Sequence, residues 1–94
     1  MKTVWKYKLR VADQWTTVDM PLGARIVHVG VQDRVDQVCL WAVVDPDAEK
    51  EPREFTVLGT GDELRGNGEW EYVGTAQTPV KSLVWHVWEW KAKR

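Results

Sequence analysis

The chain has 94 residues, with 13 Lys and Arg against 14 Asp and Glu and a formal net charge of −1. That length makes one domain with no room for a second, and the balanced charge argues against bulk binding of DNA or RNA, which requires many phosphates to be neutralised. Cys39 is the single cysteine, which excludes an intramolecular disulfide framework and suits a reducing cytosol.

The first predicted element spans residues 3–10, where Trp5, Tyr7 and Leu9 alternate with Lys6, Lys8 and Arg10. Period-two alternation marks a half-buried strand. The interspersed lysines also break any apolar run, so neither a signal peptide nor a membrane span is expected there. Residues 14–19 form a second strand, ending before Met20-Pro21-Leu22-Gly23, a Pro/Gly turn. Residues 25–32 form a third, with Val27, Val29 and Val31 expected on one face and Ile26, His28, Gly30 and Gln32 on the other. Asp33 to Asp36 read as a polar hairpin loop.

Residues 37–45 are apolar on both faces, which predicts a central strand covered on both sides. Asp45 to Pro52, acidic and with two prolines, reads as an exposed loop. Residues 53–60 return as a strand through Phe55 and Val57, and Gly59-Thr60-Gly61 ends it. Residues 62–68 form a polar loop, 69–76 another strand, and Pro79 marks a turn. The last strand, 82–90, carries Leu83, Trp85 and Val87 on one face and His86, Trp88 and Trp90 on the other. Residues 1–90 thus make a single β domain and 91–94 a basic tail. No segment holds a helical period over an average helix length. Seven short strands predict an all-β fold, an antiparallel sandwich or small barrel.

Seven tryptophans stand beside one Phe and two Tyr. A domain of this mass buries on the order of 10,000 Å² on folding, and seven buried Trp would take only about 1,400 Å² of it. Capacity therefore forces none of them to the surface; strand phase decides. Trp5 and Trp85 follow the core face, whereas Trp88 and Trp90 oppose it. Trp15 and Trp70 have no assignment on this basis, and Trp41 lies on a two-sided strand.

The acidic run Asp45, Asp47, Glu49, Glu51 lacks the Gly and Glu that an EF-hand loop needs at Lys50 and Thr56. Gly59-Thr60-Gly61 lacks the Lys-Ser/Thr of a phosphate loop and reads as a tight turn with positive φ. His28 and His86 sit mid-strand without the further ligands that zinc would want. No nucleophile–base pair suggests catalysis, and Cys39 lies in core-like sequence where thiols are inert. The expectation is a protein without catalytic residues, metal or cofactor.

Phase offers more. If the valine faces form the core, then His28, Gln32, His86 and Trp88 lie on other faces. Polar groups beside flat aromatics suit a nucleobase or another planar ligand. Arg25 and Arg53, at strand ends, are candidates for anion contacts. The same composition also describes a polar second core or a subunit interface, and a pocket between identical subunits would combine the two.

Several phrases carry a resemblance: Met20-Pro21 with Gly23-Ala24, His28-Val29-Gly30, Leu40-Trp41-Ala42, Val44-Asp45-Pro46, Gly59-Thr60-Gly61, Val73-Gly74-Thr75 and Val84-Trp85-His86-Val87. Over residues 4–89 the chain resembles a family of small uncharacterised proteins encoded in bacteriophage and prophage genomes. That context implies a non-enzymatic counter-defence protein in the host cytosol, sequestering a nucleotide-derived immune signal as a homo-oligomer. In such a site Trp41 or Trp88 would stack on the base. His28, Gln32 and His86 would hydrogen-bond it, Arg53 would meet a phosphate, and the turn at Thr60 would contribute. The alternative is a protein-binding inhibitor or structural adaptor, in which the Trp-rich last strand adds to a partner's sheet edge or fills its groove.

Overall fold

Period-two patterning builds seven strands: β1 Thr3–Leu9, β2 Ala12–Pro21, β3 Arg25–Val31, β4 Val38–Val44, β5 Lys50–Gly59, β6 Trp70–Gln77 and β7 Val84–Trp90. The computed structural model describes residues 1–32, 37–66, 68–79 and 83–91, with the backbone alone for residues 12–14. The expected hairpin loop at 33–36 and the tail beyond Lys91 lie outside the described residues. No helix occurs among the described residues, and hence none long and apolar enough to cross a membrane.

The strands form two antiparallel sheets, one ordered β1-β4-β3 and the other β2-β5-β7-β6. This is the expected all-β sandwich. β4 is the central strand of the smaller sheet, as its two apolar faces predict. Its inner residues Val38, Leu40, Ala42 and Val44 meet Phe55 and Val57 of β5 and Val87 of β7 in one buried core. Trp5 and Trp85 pack against that core, so both are packing residues. The sheets approach most closely where β6 crosses β3. A Cβ built on Gly74 would lie 2.8 Å from Val29 Cγ2, so only glycine fits there without displacement.

Three irregularities re-aim side chains, which is what bulges do. In β3, Ile26 pairs with Ala42 and His28 with Trp41, leaving Val27 as the extra residue. The expected alternation therefore fails at this point: Val27 is 47% exposed and Ile26 packs on the core. In β6, Val73 is the extra residue between Tyr72 and Gly74, so Tyr72 pairs with Trp88 and Thr75 with His86 on one face. β2 is irregular against β5 between Ala12 and Thr16, and Trp15 falls in that stretch. β5 also starts earlier than expected, at Lys50, so the acidic loop is shorter.

Candidate functional site

The outer face of the four-stranded sheet is where aromatic surface concentrates. Trp70 pairs with Trp90, Tyr72 with Trp88 and Thr75 with His86, all between β6 and β7. Trp70 and Trp90 meet edge to face at 4.9 Å, and Tyr72 and Trp88 at 5.3 Å. Trp15 reaches in from β2. It stacks on Trp90 at 5.5 Å and stands perpendicular to Trp70 at 5.0 Å, with an interplanar angle of 89°. Such contacts are favourable beyond area burial, so the three indoles hold one another in place.

The loop after β5 folds over this face. It begins in a tight turn, where the Asp62 N–H donates to the Gly59 carbonyl at 3.0 Å and Gly61 takes φ +94°. The Asp62 carboxylate accepts from the Gly59 N–H at 2.9 Å. This is the turn expected at Gly59-Thr60-Gly61, and it leaves the Gly59 N–H already bonded. Further along, the Trp70 indole N–H donates to the Arg65 carbonyl at 2.5 Å, which pins the loop to the sheet. Between loop and sheet lies a cavity of about 410 Å³ lined by Trp15, Thr56, Leu58, Asp62, Glu63, Arg65 and Trp70. That volume falls in the range of small-molecule sites, roughly 300–1,000 Å³.

Beside the cavity runs a polar chain. Thr60 Oγ1 is 2.8 Å from His86 Nε2, and Thr75 Oγ1 is 3.1 Å from His86 Nδ1. The Tyr72 hydroxyl bonds to Thr75 in turn. Both imidazole nitrogens are thus engaged by hydroxyls, with no carboxylate in the chain. This arrangement orients His86 without building a nucleophile–base–acid relay.

Of the residues expected to form a site, Thr60, His86 and Trp88 do share this face. His28, Gln32 and Trp41 do not. They lie on the outer face of the three-stranded sheet, across the core. There the His28 ring tilts against Trp41 at 5.3 Å, and Lys6 Nζ donates to Gln32 Oε1 at 2.5 Å. Strand phase groups residues by face within a sheet but does not assign strands to sheets.

Arg53 has a different partner from the one expected. It points inward, where its Nε and second terminal nitrogen donate to the two Glu89 carboxylate oxygens at 2.6 and 2.9 Å. Its other terminal nitrogen donates to the Ala24 carbonyl at 2.7 Å. The hydrogen bond to Glu89 raises the Arg53 pKa further. Burial would raise the Glu89 carboxyl, but the hydrogen bond and charge of Arg53, helped by Lys91 at 3.5 Å, bring it below its ordinary value. A guanidinium neutralised in this way is not a free phosphate contact. The clue in the sequence was Glu89 itself, a carboxylate on the core phase between Trp88 and Trp90, which requires a buried cation.

Sequence reasoning missed Trp15 and Trp70 as cavity walls. The irregular register of β2 hides the first. The second follows only once β6 is known to pair with β7. The last strand, in turn, is hydrogen-bonded on both sides, between β5 and β7's other neighbour β6. It therefore offers no free edge to which a partner strand could add. Among the described residues no group of His, Cys, Asp or Glu could hold a metal ion.

A two-sheet antiparallel sandwich with a loop-roofed aromatic cavity on one outer face defines the class of protein. The chain belongs to the family described as domain of unknown function DUF7352, which matches it over residues 1–94. No curated protein and no solved structure matches the chain.

Proposed function

We propose that this protein is a non-catalytic binding protein that captures a small planar, nucleobase-like ligand in the cavity between the four-stranded sheet and the loop that follows β5. The observation that carries the reading is the corner made by Trp15 and Trp70 at 89°, which forms two walls of a 410 Å³ cavity roofed by Asp62, Glu63 and Arg65. Indole faces stack on any base, and Trp15, 43% exposed, leaves indole surface free for such stacking. The Thr56 side chain is the neutral polar group in the lining and a partner for a polar edge of the ring, whereas Thr60 and His86 bond to each other outside it. The resemblance to phage-encoded proteins supports a biological use for such capture: sequestration of a nucleotide-derived immune signal inside the host cell, by a homo-oligomer.

The test is to purify the protein from phage-infected, defence-active bacteria, denature it, and identify released small molecules by mass spectrometry. A nucleoside or nucleotide in near-stoichiometric amount is the expected result, absent from a Trp15→Ala preparation. Indole fluorescence quenching by a panel of nucleosides and nucleotides gives the affinity. Release of no such molecule, together with no quenching across the panel, overturns the reading. Light scattering of the same preparation measures the subunit number.

A further inference from the structure

The charges around the cavity narrow the ligand class. Asp62 and Glu63 bring two carboxylates to a roof whose remaining charged group is Arg65. One oxygen of the Asp62 carboxylate accepts from the Gly59 N–H, which leaves the carboxylate charge at the cavity lining. Beneath the roof, the lining is indole, Thr56 and Leu58. Arg53, which would otherwise be the anion contact, is turned inward and neutralised by Glu89.

From this geometry we infer that the cavity selects a planar aromatic cation, a ring bearing a quaternised or protonated nitrogen, over its neutral or phosphorylated counterpart. The inference rests on the cavity being a ligand site, as proposed above. An indole face presents negative electrostatic potential to a cation above it. Trp15, 43% exposed, supplies the open π-face, and Trp70, buried at right angles to it, meets the edge of a flat cation stacked there. Asp62 and Glu63 supply the compensating charge. A phosphate entering the same space would face both carboxylates with only Arg65 to offset them. The ring is therefore the part of a nucleotide-like ligand that enters, with any phosphate left outside in solvent.

Calorimetric titration with guanosine, 7-methylguanosine and guanosine 5′-monophosphate tests this, because the three share a ring system and differ in charge. The cationic 7-methylguanosine is expected to bind at least tenfold tighter than guanosine, about 1.4 kcal/mol, and the monophosphate weakest. Glu63→Gln and Asp62→Asn, both near-isosteric, should each shrink that ratio. Arg65→Gln should widen it by removing the opposing charge. Equal binding of guanosine and 7-methylguanosine, or tightest binding of the monophosphate, overturns the charge inference while leaving base capture standing. Binding of none of the three, with quenching by other planar molecules also absent, overturns both. A ratio unchanged in all three variants of a folded protein shows that these carboxylates do not set the selectivity and overturns the inference.

Discussion

Arg53 and Glu89 form a two-point ion pair inside the sandwich, with side-chain exposures of 15% and 5%, and the same guanidinium reaches the Ala24 carbonyl between β2 and β3. One side chain thereby joins the core faces of β5 and β7 to the connection leading into the other sheet. Removing one partner of a buried pair is costly because the survivor is left charged and desolvated, about 3–5 kcal/mol. Arg53→Met and Glu89→Leu are each expected to destabilise by about 3 kcal/mol. The double variant should lose far less than the sum. Urea unfolding of the four proteins measures the coupling, and strict additivity would show that the pair does not act as a unit.

The same pair sets the response to acid. The Glu89 pKa is lower in the folded protein than in the unfolded chain, where a glutamate titrates near about 4.3. Above that value both states are ionised and the contribution of the pair is fully present. As pH falls below it, the unfolded chain takes up the proton first, and stability declines until pH passes the lower folded value. Unfolding free energy measured across this acid range should fall more steeply in the native protein than in the Arg53→Met/Glu89→Leu variant. Parallel curves would assign the acid sensitivity to other carboxylates.

Gly74→Ala is expected to destabilise by about 1–3 kcal/mol, the usual cost of forcing an extra methyl into a packed core. The reason is specific: the new Cβ would lie 2.8 Å from Val29 Cγ2 and 3.1 Å from its Cβ. Val29→Ala in the same chain removes the Cγ atoms and should recover part of the loss. If Gly74→Ala melts at the native temperature, the sheets are less closely packed there than this geometry requires.

Trp70→Phe keeps an aromatic ring against Trp15 and Trp90 but deletes the indole N–H that bonds to the Arg65 carbonyl. A net loss of ~1 kcal/mol is the ordinary size for such a bond. The distinguishing expectation is local: amide hydrogen exchange should quicken in residues 61–66 while β5 and β7 keep their protection. Uniform exchange throughout the loop and sheet would mean that the bond does not pin the loop.

Much of the strand pattern was readable from alternation alone. Trp5 and Trp85 fall on the core phase and are found there, and Trp88 and Trp90 oppose them. The Gly59-Thr60-Gly61 turn takes its expected positive φ at Gly61, whereas Gly59 ends β5 without one. Alternation fails where a strand carries an extra residue, as at Val27, because one added residue exchanges the two faces. It is also silent on which sheet a strand joins. His28 and His86 have the same local pattern, yet the strand orders place them on opposite outer surfaces. The cavity was unreadable for both reasons, since it needs the irregular stretch at Trp15, the β6–β7 pairing at Trp70, and a loop brought back over them.

The position of β7 has a consequence for how the chain comes together during synthesis. β5 and β6 both leave the ribosome before it, and each hydrogen-bonds to it and not to the other. Until residues 84–90 have emerged, β6 has no strand to pair with and the aromatic ladder has only one rail. The larger sheet therefore closes by insertion, a late zippering of Trp88 and Trp90 between elements already waiting, and a nascent chain halted before Val84 would expose Trp70, which the finished sheet buries, to whatever chaperone is at hand.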